Sequence, residues 1–139
     1  MRFRVRSAEP HEATRVLELW QRADAVHSVT DDVAGVELLL AREPDGLLVA
    51  EAHGGAIVGS LVAVFDGWRA NLYRLAVAPE HRRQGVATAL VAEAERRLRD
   101  AGCRRASALV VHDDPGARAC WAALGYEPDP RVARYVKTW

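Results

Sequence analysis

The residues with the clearest chemical potential form one short segment in the middle of the chain, Arg82-Arg83-Gln84-Gly85-Val86-Ala87-Thr88. It lies between an apolar stretch and a long amphipathic pattern that predicts a helix. The first four amides of a helix have no intrahelical partner, and the helix dipole places partial positive charge beside them. Gly85 lets the backbone approach a ligand closely, and Arg82 and Arg83 add full positive charge. The segment therefore predicts an anion site, and phosphate is the anion it suits best.

Two common phosphate-binding motifs are missing from the sequence. The chain has no Gly-Lys-Ser or Gly-Lys-Thr, so the Walker A pattern fails. It also lacks the Gly-x-Gly-x-x-Gly that opens a dinucleotide-binding helix. The predicted phosphate site therefore belongs to neither of these classes.

The elements that precede this segment follow from hydrophobic periodicity and capping signals. Phe3 and Val5 alternate with arginines and predict a short strand. Glu9-Pro10 begins a helix, because proline is tolerated in a first turn. Asp31 or Asp32 caps a second helix, and residues 21–31 form an irregular polar segment between the two.

Three strands and the long helix fill the middle of the chain. The first two strands, Leu47–Ala52 and Ile57–Phe65, are joined by a hairpin at His53-Gly54-Gly55. A third strand covers about Asn71–Val77, after a turn at Asp66-Gly67. The helix covers roughly residues 85–101, and Gly102 ends it.

A strand, a helix and a further strand are predicted after the long helix. Arg105–Val111 reads as a strand, and Asp114-Pro115 caps a helix that ends before Gly125. The tail Val132–Trp139 alternates well enough to predict a final strand. The order β-α-α-β-β-β-α-β-α-β indicates an α+β fold with helices packed on a mixed sheet. No linker or repeat divides the chain, so residues 1–139 are predicted to be a single domain.

Composition excludes several classes of function. The chain has 139 residues, of which 27% are charged, and 19 basic residues balance 19 acidic ones. No global field attracts nucleic acid or anionic lipid, and no apolar run is long enough to span a bilayer. Cys103 and Cys120 have no Cys-x-x-Cys spacing, and the five histidines include no close pair. We expect a cytoplasmic protein with no metal and no disulfide framework.

Two motifs carry a family resemblance that covers about Val49 to the C-terminus. Arg82-x-x-Gly85-x-Ala87, after the apolar strand, resembles the (R/Q)-x-x-G-x-(G/A) motif of the GCN5-related N-acetyltransferases, the GNAT family. Asp114…Ala117…Trp121…Leu124-Gly125-Tyr126 is similar to that family's N-x-x-A-x-x-x-(Y/F)-x-x-x-G-F segment. The chain is identified on these residues as a member of the family.

The resemblance implies a mixed, mostly antiparallel central sheet flanked by helices and splayed between the fourth and fifth strands. It implies an N-acetyltransferase that uses acetyl-CoA as cosubstrate and acetylates a primary amine by direct attack in a ternary complex. An N–H near Val77 would polarise the thioester carbonyl. The implied cofactor-binding residues are Leu75, Ala76, Val77, Arg82, Arg83, Gln84, Gly85, Val86, Ala87, Thr88 and Trp121.

The sequence departs from the family at the position of the general acid. The family often places a tyrosine there to protonate the departing thiolate, and this chain has Trp121, which is no useful acid at neutral pH. Tyr73, Tyr126 or a water molecule are the alternatives. Tyr73 has the same parity as Leu75 and Val77, so it is expected on the same side of the strand.

The general base is open as well, because the central strand lacks the glutamate that family members often have. Asp66, Glu51, Asp31 or Asp32 are candidates that would act through water. Tyr73 and Asp66 are taken as the catalytic candidates. The family's asparagine before the last helix is Asp114 here, which suits a helix cap better than a contact with an anionic cofactor.

The acceptor is expected to enter near residues 21–33 and the 66–69 turn, where loops carry specificity. The acids Asp24, Asp31, Asp32 and Asp66 suit a cationic amine, on a small molecule or a peptide. A homodimer is left open by the predicted C-terminal strand that ends in Trp139. Two other functions remain: an acyl-CoA-binding sensor with little or no catalysis, and a binder of nucleotide phosphates.

Overall fold

The computed structural model describes residues 2–25 and 27–139, and within them it contains five strands. They are β1 (Phe3–Ser7), β2 (Leu47–Ala52), β3 (Ile57–Phe65), β4 (Ala70–Val77) and β5 (Ala106–Ala108). They form one sheet in chain order, with β1 to β4 antiparallel to their neighbours and β5 parallel to β4. The predicted α+β class and mixed sheet are confirmed.

The helices begin and end close to their predicted signals. They are α1 (Ala13–Arg22), α2 (Val33–Arg42), α3 (Val86–Asp100) and α4 (Pro115–Ala123). A turn of 3-10 helix at Pro10–Glu12 leads into α1, and another at Pro79–His81 precedes α3. Of the two predicted caps of α2, Asp32 is the cap, and its carboxylate accepts a hydrogen bond from Gly35 N at 2.7 Å. Val26, within the predicted irregular segment, lies outside the described residues.

Helices α1 and α3 pack on opposite faces of the sheet, and two neighbouring residues of β3 show this directly. A Cβ on Gly59 would lie 2.6 Å from Val86 Cγ1 and 3.1 Å from Leu90 Cδ1, so α3 approaches here closer than a side chain permits. Ser60, which points to the other face, accepts a hydrogen bond from Trp20 Nε1 of α1. The apolar residues of β2 and β3 are buried between these two helical layers.

The predicted strand Arg105–Val111 is longer than the strand that forms. β5 covers only Ala106–Ala108, which pair with Ala70, Asn71 and Leu72 at the start of β4. A strand needs a partner for its backbone groups. The pairing ends at Leu72, just before an irregularity in β4, so the splay between the fourth and fifth strands lies after Leu72.

The chain divides into two compact units, and the second begins at Val110. Within it, Asp114 caps α4 by accepting a hydrogen bond from Ala117 N at 2.9 Å, as predicted. The rings of Trp121 and Tyr126 meet edge to face, with centroids 4.9 Å apart. The single domain expected from the sequence stays a prediction.

The final strand predicted at Val132–Trp139 is wrong, because these residues have no regular secondary structure. Tyr135 is 94% exposed and Trp139 is 97% exposed. Alternation permits a strand, but a strand forms only beside a partner, and the second unit as described contains none.

No helix in the described part of the chain is long and apolar enough to cross a membrane. The cytoplasmic location expected from the sequence stays a prediction.

Candidate functional site

The loop between β4 and α3 presents a row of backbone amides. The first helical hydrogen bond of α3 runs from Ala89 N to Gly85 O at 3.0 Å, and no side chain that the structure describes caps the helix. Among residues 2–25 and 27–139, no group accepts a hydrogen bond from the amides of Arg83 to Thr88. Free amides at a helix N-terminus are the donors that bind phosphate.

The backbone of this loop is curved by two residues in the left-handed conformation. Arg83 has a φ of 62° and Gly85 a φ of 82°. A left-handed residue in such a turn directs successive N–H groups toward one concave side, which makes an anion-binding nest. A Cβ on Gly85 would meet no atom within 4 Å, so the space in front of it is open. Glycine here serves the positive φ and leaves room for a ligand.

The two arginines of the loop differ in what they contact. Arg82 reaches back to the protein, with Nε 3.3 Å from Val77 O and Nη2 3.5 Å from Ala23 O. Arg83 is exposed, and its side chain has no partner within the described residues. We take Arg82 as a brace of the loop and Arg83 as its free positive charge.

The second half of β4 turns its backbone toward the edge that β5 no longer covers. At the start of the strand, Leu72 O accepts a hydrogen bond from Leu109 N at 2.9 Å, so Leu72 faces β5. Beyond the strand, Ala78 N donates to Val58 O at 2.8 Å, toward β3. Neighbouring residues of a strand direct their N–H and C=O groups to opposite sides. The N–H of Val77 therefore points away from β3, toward the open edge.

A β-bulge makes this change possible. Ser60 pairs with Ala76 and Val62 pairs with Tyr73, so two residues of β4 oppose one residue of β3. The first of these two, Arg74, has a φ of 57°. A bulge bends its strand and disrupts the ladder locally. It therefore accounts for the short pairing between β4 and β5.

The bulge also corrects one expectation about Tyr73. Tyr73 pairs with Val62 and Val77 pairs with Gly59, and Val62 and Gly59 lie three residues apart in β3, on opposite faces. The expectation that Tyr73 and Val77 share a side is wrong, because the extra residue shifts the alternation. Tyr73 lies on the α1 side of the sheet, with Ser60, and is half-buried.

Sequence reasoning missed the side chains that surround the bulge. Trp20 Nε1 donates to Ser60 Oγ, Ser60 Oγ donates to Arg74 O, and Arg74 forms an ion pair with Asp31. One signal was available, because Ser60 is the single hydroxyl in the apolar strand β3.

The carboxylates considered as bases are engaged by the protein. Asp66 Oδ1 accepts hydrogen bonds from Trp68 N and Arg69 N, both at 2.8 Å, and these bonds hold the pKa of Asp66 below its usual value. Glu51 is paired with Arg6, which likewise lowers the pKa of Glu51. Such groups are weaker bases than free carboxylates. The catalytic roles of Asp66 and Tyr73 stay predictions.

The four acids expected near the acceptor are not equally available. Asp32 caps α2, Asp31 pairs with Arg74, and Asp66 closes the turn before β4. Asp24 is exposed and has a φ of 56°. The turn at 66–69 directly precedes the first residue of β4, whereas Asp31 contacts Arg74, in the bulge further along the strand.

Trp121 lies in the second unit, where it is buried and packs on Tyr126. Its predicted cofactor contact stays a prediction. No group of three or more His, Cys, Asp and Glu side chains in the described part of the chain is arranged to hold a metal ion.

A family model and a curated relative match most of the chain. The model of the acetyltransferase (GNAT) family matches residues 11–126. An acetyltransferase of Pectobacterium atrosepticum is 35% identical over 127 residues, which is 91% of this chain and 88% of the relative.

Two solved structures share the fold and were determined with ligands. AAC(6')-Iy in complex with the bisubstrate analogue CoA-S-monomethyl-acetylneamine is 23% identical, with a TM-score of 0.78 and all of both chains covered. The diaminobutyrate acetyltransferase EctA of Paenibacillus lautus, in complex with L-2,4-diaminobutyric acid and coenzyme A, is 24% identical. Its TM-score is 0.73, and the match covers 88% of this chain and 74% of EctA.

Proposed function

Because the chain belongs to the acetyltransferase (GNAT) family, we propose that it moves the acetyl group of acetyl-CoA to a primary amine by direct attack in a ternary complex. The observation that carries the proposal is the row of amides from Arg83 to Thr88, which have no partner in the described part of the chain, as the guanidinium of Arg83 has none there. Each amide gains a charge-assisted hydrogen bond when it meets a phosphate oxygen. The diphosphate of CoA supplies several such oxygens in one short group.

The open edge of β4 would receive the rest of the cofactor. Leu75, Ala76 and Val77 lie in the half of β4 that has no pairing with β5. The amides of the pantetheine arm can bond to backbone groups on that edge, as an added strand does. An N–H of this stretch, near Val77, would then stabilise negative charge on the thioester oxygen. Removing one donor of this kind typically costs ~10²–10³ in kcat.

Direct attack is supported by the state of the two thiols. Burial raises the pKa of Cys120, and Cys103 is buried with its Sγ 3.3 Å from Arg105 O. A nucleophilic cysteine needs a lowered pKa and access to substrate. The pKa of Cys120 is raised instead and Cys103 is buried, so an acyl-enzyme intermediate is not part of the proposal.

Tyr73, a half-buried tyrosine of β4 two residues before Leu75, is our proposed proton-transfer residue. The departing thiol has an ordinary pKa of about 8.5, so CoA leaves tolerably well as a thiolate even without a strong acid. General acid help contributes about 10²–10⁴ where it operates. Loss of Tyr73 would therefore slow the transfer without abolishing it.

The proposed acceptor is an amine on a small molecule or a peptide. The ligands named for the two structural neighbours are an acetylneamine derivative and a diamino acid. Within the described residues of the predicted acceptor segment, Asp24 is the acid that neither caps a helix nor forms an ion pair. It is our candidate for attraction of the ammonium group before the amine loses its proton.

The experiment is a thiol-release assay with purified protein, acetyl-CoA and a panel of aminoglycosides, diamino acids, polyamines and peptides. We expect amine-dependent release of free CoA, with acetylated product detected by mass spectrometry. The Gly85→Glu variant is the control, since it blocks the phosphate site. Silence across the panel, with binding of CoA intact, would contradict enzymatic transfer to amines and favour an acyl-CoA sensor.

A further inference from the structure

The strained residue of β4 directly precedes the stretch that we propose receives the cofactor. Arg74 has a φ of 57°, a left-handed conformation that is uncommon for a residue with a long side chain. Such strain persists only where the surroundings hold the backbone in place, and it collects at functional sites. The neighbours that hold Arg74 are therefore candidates for a role in acetyl transfer.

A buried hydrogen-bond chain holds the carbonyl of Arg74. Ser60 Oγ donates to Arg74 O at 2.9 Å and accepts from Trp20 Nε1 at 2.9 Å. Ser60 is 0% exposed and Trp20 is 6% exposed. A hydroxyl has a single proton, and that of Ser60 is committed to this carbonyl.

Fixing this carbonyl also fixes the next amide. The C=O of Arg74 and the N–H of Leu75 belong to one planar, trans peptide unit, in which they point in opposite directions. Since the C=O points toward Ser60, the N–H of Leu75 points away from it. Leu75 comes three residues after Leu72, the last residue of β4 that pairs with β5, so this N–H belongs to the part of the strand that has no pairing with β5.

The side chain of Arg74 is held as well. Its Nη2 lies 2.5 Å from Asp31 Oδ2, and the guanidinium carbon lies 5.4 Å from the centre of the Trp20 ring. Asp31 also accepts a hydrogen bond from Ser28 N at 2.8 Å. The segment 28–31, which belongs to the predicted acceptor region, is thus tied to the strained residue.

We infer that Trp20, Asp31, Ser60 and Arg74 form a bulge clamp, which positions the Leu75 N–H as a donor to the thioester oxygen and ties it to segment 28–31. These are positioning residues, and they act through the backbone of β4. The inference rests on the proposed acetyl transfer. It adds that a movement of segment 28–31 would change the position of the Leu75 N–H, and with it the activation of the thioester.

The test is a double-mutant cycle between Ser60→Ala and Arg74→Gly. Ser60→Ala removes the bond that holds the bulge, and we expect about 10-fold or greater loss of kcat, with KM for acetyl-CoA changed by less than about 2-fold. Glycine adopts positive φ without strain, so it keeps the bulge without Ser60. In the Arg74→Gly background, Ser60→Ala is therefore expected to change kcat by less than about 3-fold. A residue with only a general structural role would give the same loss in both backgrounds.

Two matched variants separate the parts of the clamp. Arg74→Ala removes the guanidinium but keeps the strain, so we expect lower kcat than in Arg74→Gly. Asp31→Asn keeps the size of the side chain and removes its charge. We expect it to raise KM for the amine by about 5-fold, with a smaller effect on kcat.

Exchange of the Leu75 amide with solvent deuterium, measured on the CoA complex, decides the inference independently of turnover. Faster exchange in Ser60→Ala than in the wild type, with the difference abolished in the double variant, supports the clamp. Equal exchange, or equal loss of kcat by Ser60→Ala in both backgrounds, overturns it. If the wild type acetylates no amine, the proposed function fails, while the exchange result still supports or overturns the clamp.

Discussion

Two regions of the first unit differ in whether their arginine side chains are paired with carboxylates. Near the N-terminus, Arg6 Nη1 and Nη2 lie 2.7 and 2.8 Å from the two carboxylate oxygens of Glu12, which also accepts from Arg15 and from Glu9 N. Glu12 is 2% exposed. In the loop before α3, by contrast, Arg83 has no partner among the described residues, and neither do the amides that follow it.

The contrast separates charge used for folding from charge kept for a ligand. Buried polar groups are almost always satisfied, so a saturated cluster needs no ligand to explain it. An exposed row of donors with no internal acceptor remains solvated until an anion displaces the water. Changes in the cluster of Glu12, Arg6 and Arg15 should therefore alter stability and leave binding almost unchanged. Changes in the loop before α3 should alter binding and leave stability almost unchanged.

The largest expected effect is on the loop. Gly85→Glu places a charged side chain in the open space before the amides, at a φ that a side chain adopts with strain. We expect the Kd for CoA to rise by about 100-fold or more, because several charge-assisted hydrogen bonds are lost together. Isothermal titration calorimetry measures the change. An unchanged Kd would place the cofactor elsewhere.

The next effect is on stability alone. Glu12→Ala removes the carboxylate from the guanidinium of Arg6, and we expect a loss of about 3 kcal/mol in the free energy of unfolding. The Kd for CoA should remain within about 2-fold of the wild type, as neither residue contacts the loop. Urea unfolding and calorimetry test the two parts. A parallel loss of affinity would remove the distinction between the two regions.

Arg83 and Arg82 sharpen the comparison within the loop itself. Arg83→Ala removes a free, exposed charge, so we expect CoA affinity to fall by about 5-fold with no loss of stability. Arg82→Ala removes the contacts to Val77 O and Ala23 O and should lower the melting temperature as well. The reverse pattern would exchange the roles of the two arginines.

The fourth effect is the loss of stability at acidic pH. The bond from Arg6 lowers the pKa of Glu12 to about 2, from an ordinary 4.5. A lowered pKa stabilises the folded state fully above the unfolded value, and this contribution is lost as pH falls from about 4.5 toward 2. We expect the melting temperature of the wild type to fall in this window and that of Glu12→Gln to fall less.

Glu93 is the matched control for this measurement. Hydrogen bonds from Arg96 and Arg97 also hold its pKa at about 2, but the side chain of Glu93 is 25% exposed, against 2% for Glu12. At pH 7 we expect Glu93→Gln to cost less than about 0.5 kcal/mol. If Glu93→Gln lowered the free energy of unfolding by more than Glu12→Gln does, the larger contribution of the Glu12–Arg6 ion pair to stability would be contradicted.

Local patterns were sufficient for most of the fold. The bounds of β2 and β3 were predicted to the residue, and Asp114 caps α4 as its position before Pro115 indicates. These features depend on alternation and capping within a few residues. The final strand at Val132–Trp139 was not predictable in this way, because strand formation depends on a partner that no local pattern reveals.

One part of the candidate site could be predicted from local sequence patterns, and the other part could not. The loop at Gly85 could be predicted because its donors are backbone groups at a helix start, which sequence signals locate well. The bulge could not be predicted, since arginine rarely adopts the positive φ that Arg74 has. Its cause is a set of contacts from Ser60, Trp20 and Asp31, which are far apart in the chain.

A crystal structure of the protein with CoA tests the central claim most directly. We expect the diphosphate oxygens within hydrogen-bond distance of the amides between Arg83 and Thr88, with the pantetheine arm along the open edge of β4. A diphosphate bound elsewhere, with these amides facing only solvent, would contradict the account.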